Sequence, residues 1–265
     1  MFIFLLRNFR RLWRIPAIIF HLFFQATMLV WEKFRYSSVP EKASAHLDLR
    51  IRKWAEGLLK ILNIHCSTEG QFSGDHGRFM ISNHQTYLDI LVHASFGGIR
   101  FAPNSGIRSW PFFGWLVHLS DPVWIDRSSP GKAKETLEEF KKKVLRGNTL
   151  MLYPEGTTTD GKGNLLAFKS TVFEGAIELN QPIYPILTFY KEDSSAKDVP
   201  VAWADDKPFP LHVLGLLGNK QTDVKIYILP EIHPEKGISR KEFAAKARNV
   251  MNQEFVRRRN DIQWR

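Results

Sequence analysis

The chain has 265 residues, 44% of them hydrophobic and 24% charged, a composition that allows one sizeable core and excludes a disordered or fibrous chain. A formal charge of +10 and a pI near 9.7 point to an anionic partner, leaving nucleic acid, an anionic membrane surface and phosphate-bearing substrates open. The single cysteine, Cys66, excludes an intramolecular disulfide framework and a multi-cysteine zinc site.

At the amino end, Met1 to Leu6 is apolar, Arg7, Arg10, Arg11 and Arg14 follow, and Pro16 to Trp31 is a second apolar run interrupted by His21, Gln25 and Thr27. It does not end in the small residues of a cleavage site, so a cleaved signal peptide is not expected. The run falls short of the ~20 apolar residues that cross a bilayer, which leaves dipping in and spanning both open. Ala43 to Ile64 then places Leu47, Ile51, Trp54, Ala55, Leu58, Leu59 and Leu62 on one face, with Arg50, Arg52, Lys53 and Lys60 on or beside the other. That pattern fits a helix packed on a domain and equally an interfacial helix on anionic head groups. Residues 1–63 are read as N-terminal membrane-associated helices and residues 64–265 as the catalytic body.

Arg78 to His93 is the first stretch with chemistry. Apolar residues end at Ile81, Ser82 and Asn83 supply capping groups, and Leu88, Leu91 and Val92 recur at helical spacing. A strand is therefore expected to deliver His84 to a turn before a helix that carries Asp89. An imidazole titrates near neutrality and takes a proton from a hydroxyl, while a neighbouring carboxylate holds the ring and balances its charge. Five residues along a regular helix rotate the second side chain by roughly 140°, so the pair converges only if His84 lies in the non-helical lead-in. A purely structural histidine is the competing reading.

Beyond Asp89, apolar runs of strand type alternate with helical ones: Arg100 to Pro103, Pro111 to Leu119, Pro122 to Ile125, Pro130 to Leu145, Thr149 to Tyr153 and Lys169 to Leu179. The alternation predicts an α/β fold, a mostly parallel central sheet flanked by helices. Pro182 to Tyr190 and Asp223 to Leu229 read as later strands, with Lys191 to Pro210 between them as a lid or substrate loop. A last helix opens on a capping box, Ser239 with Glu242.

Within this body, Gly156 to Lys162 fits most of a P-loop, but Gly163 stands where a magnesium-binding hydroxyl is needed. A strand ending in Pro154-Glu-Gly-Thr157 instead exposes a carboxylate and backbone N–H groups at the sheet edge where α/β folds bind ligands. Glu155 is expected there to receive a substrate hydroxyl. Arg127, closing the run Val123 to Arg127, suits a phosphate or carboxylate.

Taken together, Asn83-His84-Gln-Thr-Tyr-Leu-Asp89, Pro111-Phe-Phe-Gly114 with Ile125-Asp-Arg127, Tyr153-Pro-Glu-Gly-Thr157 and Pro182-Ile-Tyr-Pro185 resemble, in order, the four motifs of the glycerolipid acyltransferases typified by lysophosphatidic acid acyltransferase. The resemblance implies O-acyl transfer from acyl-CoA or acyl carrier protein to the free hydroxyl of a lysolipid, with 1-acylglycerol-3-phosphate as the first acceptor. It implies His84 as general base and Asp89 as its orienting partner. Acceptor binding would fall to Arg127, Glu155, Gly156 and Thr157, with Arg108 as a further cation. No metal and no cofactor beyond the donor co-substrate are implied. A two-helix anchor on an anionic lipid surface is, with the catalytic domain facing the cytoplasm of a bacterial inner membrane or its equivalent. Two departures leave the head group open: Thr158 stands where phosphate-acceptor members usually have arginine, and Asn104 and Ser105 where they have lysines. Lyso-ornithine lipid and lysophosphatidylcholine are the alternative acceptors. Nucleic acid is disfavoured, because the arginines cluster beside long apolar runs and no binding motif for it occurs.

Overall fold

The computed structural model describes the chain apart from residues 1, 74–76, 112, 127–128, 192–198, 205–206 and 263–265. Two long helices open it, α1 (Phe2–Arg35) and α2 (Pro40–Leu62). α1 runs through Pro16 without a break, so the two apolar runs and the arginines between them form one continuous element. The helices share the expected membrane face unequally. Leu47, Ile51, Ala55, Leu58 and Leu59 of α2 are buried, so the domain-packing alternative holds for α2. On α1, Phe9, Leu12, Ile19, Phe20, Phe23, Trp31 and Phe34 remain exposed.

The helices approach closely at Gly57, where a Cβ would stand 2.1 Å from His21 Cε1, and the His21 ring is itself bonded to the Trp54 carbonyl at 3.0 Å. Arg50, read as a solvent- or head-group-facing cation, turns to Glu32 of α1 and donates two bonds to one oxygen at 2.6 and 2.8 Å.

Among the described residues six strands follow: β1 (Ile64–Glu69), β2 (Phe79–Ser82), β3 (Ile99–Phe101), β4 (Thr149–Leu152), β5 (Ile183–Tyr190) and β6 (Thr222–Ile228). They form one sheet of order β1-β6-β5-β2-β4-β3, parallel at every pairing except β5 with β6. Side chains alternate faces along a strand, and both faces here are covered. Phe79, Ile81, Leu150, Leu152, Ile183 and Leu187 join one core cluster. In it they meet α5 (Pro130–Leu145), α6 (Thr171–Glu178) and α8 (Arg240–Asp261). Met80, Met151 and Ile186 point the other way, toward α2, α3 (Leu88–Ala94) and α7 (Phe209–Leu216). A short helix α4 (Phe113–Leu119) sits near the β3 edge. The capping box at Ser239 and Glu242 forms as expected.

α7 is absent from the sequence reading. Pro210 and Gly215 interrupt it and its residues are apolar on all sides, so no helical stripe stands out. The arginines of α1 dock on its carboxyl end. Arg7 donates to Gly215 O at 3.1 Å, Arg10 to Gly218 O at 3.0 Å, Arg11 to Leu214 O at 2.9 Å, and Arg14 to Leu217 O at 3.0 Å and Asn219 O at 2.6 Å. The last carbonyls of a helix lack partners within it and carry the negative end of its dipole, so cations are favoured there. This cluster, which in sequence looks like head-group contact, is turned inward on the protein.

Gly57→Ala raises intrinsic helix propensity but drives a methyl into the His21 ring; we expect it to lower stability, by about 1–3 kcal/mol. Chemical denaturation of the two proteins in the same detergent checks the sign, and a stabilised variant would show that the helices separate freely.

Candidate active site

β2 ends at Ser82, and four residues of irregular backbone separate it from the turn at Tyr87 that opens α3. His84 stands in that lead-in and Asp89 in the first turn of α3, the arrangement the five-residue spacing requires. His84 Nδ1 and Asp89 Oδ2 are 2.8 Å apart. The same oxygen accepts from the backbone N–H groups of Gln85 at 2.8 Å and Thr86 at 3.0 Å, and Oδ1 accepts from the Tyr190 hydroxyl at 2.6 Å. Asp89 is fully buried. Burial alone raises a carboxyl, but the hydrogen bond and charge of His84, with the Thr86 N–H, outweigh it and hold Asp89 below its ordinary value. An ionised Asp89 draws the proton to Nδ1 and leaves the lone pair on Nε2, on a side chain 18% exposed.

Asn83 does not cap the helix as the sequence reading expects. Its amide donates to Thr188 O at 3.0 Å and its oxygen accepts from Thr188 N at 2.8 Å, pinning the turn to β5.

The loop after β4 reaches the same place. The Tyr153 ring stacks on the His84 ring with centroids 4.0 Å apart and planes 16° apart. The Glu155 carboxylate accepts from His84 N at 3.2 Å and from Leu166 N at 2.9 Å, and Thr159 N donates to His84 O at 2.8 Å. Gly156, at φ 73°, and Thr157 are exposed beside them. Glu155 is only 2% exposed, and burial pushes its carboxyl up against the pull of the two N–H groups. It therefore does not present the open carboxylate expected from sequence.

Comparisons with known proteins bear on the segment that carries this arrangement. The Acyltransferase family model matches residues 63–188, the segment that carries His84, Asp89 and the loop at 153–159. That segment, just under half of the chain, is similar to the acyltransferase family. It is 28% identical over 171 residues to lyso-ornithine lipid O-acyltransferase of Pseudomonas aeruginosa, covering 64% of this chain and 65% of that one. It is 26% identical over 151 residues to 1-acyl-sn-glycerol-3-phosphate acyltransferase of Neisseria meningitidis, covering 56% of this chain and 58% of that one. The matches thus span under two thirds of either relative. The crystal structure of the 1-acyl-sn-glycerophosphate (LPA) acyltransferase PlsC from Thermotoga maritima superposes with a TM-score of 0.67 over 97% of this chain and 99% of that chain, at 20% identity. That likeness establishes the fold.

The other expected acceptor residues are not all gathered at His84. Arg127 lies outside the described residues. Arg108 is exposed and stacks over the Trp124 ring at 4.8 Å, where it lines a groove of about 1350 Å³ with Lys33, His118, Lys143 and Arg146. Lys143 and Arg146 end α5, and Asn148 of the same groove directly precedes β4, whereas His84 follows the opposite, carboxyl end of β2. The Thr158 hydroxyl donates to the Trp203 carbonyl, and Trp203 N donates to Gln85 O at 2.8 Å. Among the described residues, no group of three or more His, Cys, Asp or Glu forms a metal-binding cluster.

Sequence reasoning missed a second layer of polar groups. His93, fully buried, pairs Nδ1 with the Tyr153 hydroxyl and Nε2 with Thr188 Oγ1, both at 2.9 Å. Its helical spacing from Asp89 was the available signal. Burial pulls His93 from 6.5 down to about 4, against the attraction of Asp89. Above 6.5 neither the folded nor the unfolded chain protonates it. Between 6.5 and about 4 the unfolded chain binds a proton that the folded one refuses, so stability is lost as pH falls. The loss approaches about 3 kcal/mol at ~1.4 kcal/mol per pH unit. Urea unfolding at pH 7 and pH 4.5 is expected to show a smaller acid loss for His93→Gln than for the wild type; parallel losses would place the proton elsewhere.

Proposed function

We propose that this protein is an acyltransferase, moving a fatty acyl group from a thioester donor, acyl-CoA or acyl carrier protein, to the free hydroxyl of a lysolipid at a membrane surface. The observation that carries the proposal is the His84–Asp89 pair, 2.8 Å apart, with the lone pair on Nε2, at the carboxyl end of a mostly parallel sheet. Nε2 takes the proton of the acceptor hydroxyl as its oxygen bonds to the thioester carbonyl carbon. The C–S bond then breaks, and the imidazolium returns its proton to the leaving thiolate. Asp89 stays ionised throughout, holding the ring and balancing its charge, and the lipid alcohol takes the place a serine holds in a Ser-His-Asp site. We assign Gly156 and Thr157 to the acceptor, as exposed groups beside His84.

α1 supplies the membrane contact. Phe4–Arg35 is long and apolar enough to cross a bilayer, but α1 is tied to the body from Arg7 through His21 to Lys33, whose ammonium donates to Leu119 O at 2.9 Å. A helix fastened along its length with one apolar face outward is suited to lying in the interface. The catalytic end then faces the cytoplasm, where thioester donors are found.

1-Acylglycerol-3-phosphate heads the acceptors implied by the family resemblance. Thr158 favours a second reading, a lyso-ornithine type of acceptor. Its hydroxyl is committed to Trp203, at the position where phosphate-acceptor members carry arginine, and the Pseudomonas relative is a lyso-ornithine lipid O-acyltransferase.

Purified protein, one long-chain acyl-CoA and a panel of lysolipids test the proposal. His84→Ala, shown to be folded, is expected to lose transfer by about 10²–10⁴-fold, and wild-type rates in it would exclude His84 as the base. Free fatty acid in place of acylated lipid would identify a hydrolase. In the same panel Thr158→Arg is expected to raise the rate with lysophosphatidate relative to lyso-ornithine lipid, by about tenfold for 1.4 kcal/mol of charged hydrogen bonding; an unchanged ratio would remove position 158 from head-group choice.

A further inference from the structure

Glu155 sits in a segment that the sequence assigns to acceptor binding, yet its carboxylate faces the protein. One oxygen accepts from His84 N and the other from Leu166 N, and only 2% of the residue is exposed. A lipid hydroxyl has no open path to it. We propose that Glu155 is a positioning residue for His84: it holds the His84 backbone as Asp89 holds the ring. The inference rests on the acyl-transfer reading above and gives the third motif a mechanical task in it.

Three contacts from one loop converge on His84. Tyr153 covers the face of the ring, Glu155 takes the N–H and Thr159 takes the C=O. With both ends of the residue held, the direction of Nε2 depends on where this loop stands. The loop in turn is fixed through the second Glu155 oxygen. Leu166 N donates to it, and the Leu165–Leu166 segment is held by α8: Arg248 Nε donates to both carbonyls at 3.1 Å, and Leu165 N donates to Asn252 Oδ1 at 2.8 Å. A continuous line of hydrogen bonds therefore runs from α8 to the catalytic histidine, with Glu155 as its only side chain at the turn among these contacts. Displacements of about 1 Å at a reacting group cost on the order of 10²-fold in rate, so such a support has a kinetic signature. A ligand of the acceptor would have a different one.

Glu155→Gln keeps the shape but offers one acceptor oxygen and an NH₂, so one of the two backbone N–H groups faces a donor. We expect kcat to fall by about 10- to 100-fold while the KM values of acceptor and donor stay within about twofold, the pattern of an interaction made for the transition state. A raised acceptor KM with kcat preserved would overturn the proposal and restore Glu155 to acceptor binding; unchanged kinetics would overturn it as well. Circular dichroism and a melting curve establish that the variant is folded. If Glu155→Gln does not fold, Arg248→Gln takes its place. It loosens the far end of the same line, and a lowered kcat at unchanged KM is expected again, with wild-type kcat overturning the proposal. Should the wild-type protein transfer no acyl group, the reading in the preceding section fails first. His84 placement is then followed by its carbethoxylation with diethyl pyrocarbonate, whose rate Glu155→Gln is expected to change several-fold; an identical rate would overturn the positioning role independently of any activity.

Discussion

The carboxylate of Asp89 is the constraint on which the site depends. A charge removed from water is costly unless every lone pair finds a donor, and here the donors are the His84 ring, two backbone N–H groups of the turn and the Tyr190 hydroxyl. One group thereby sets the tautomer of the His84 ring, the shape of the lead-in and the start of α3, whose N-terminal dipole also favours a negative charge. Tyr190 belongs to β5, so the turn cannot be placed until the sheet has formed.

Around this carboxylate the fold supplies supports from every side. β5 pins Asn83, the loop after β4 clamps the His84 backbone, and α8 steadies that loop. On the opposite face, α7 joins α1 to the site. Its last carbonyls receive the arginines of α1, while its His212 bonds to the Tyr87 hydroxyl at 3.1 Å and to the Pro200 and Ala202 carbonyls. Tyr87, Trp203 and Phe209 pack edge to face there. The exposed apolar helix α1 and the turn that bears His84 are thus parts of one packed body.

Much of this was legible in the chain. The strand, turn and helix around His84, the span of α5 and the capping box of α8 follow from periodicity and local chemistry, and the structure keeps them. α1 and α7 were harder to read. Arginines beside apolar runs resemble a membrane flank, and nothing near Arg7 to Arg14 in sequence names a carbonyl more than 200 residues away. α7 lacks the amphipathic stripe that identifies a surface helix. Glu155 lies beside His84, but its direction was not legible, because a carboxylate at a strand end reads as open until the chain that covers it is seen.

What the sequence determined by itself is the pairing that lies within one turn: a histidine and a carboxylate five residues apart, set between an apolar strand and a helix. Only the tertiary structure decided what holds them. Glu155 meets His84 across 71 residues, Tyr190 meets Asp89 across 101, and Asn83 meets Thr188 across 105. Short-range pairings are dictated by backbone geometry, which a sequence encodes directly. Pairings at such separations exist only once strand order has brought β2, β4 and β5 side by side, and that order is a property of how the whole core packs.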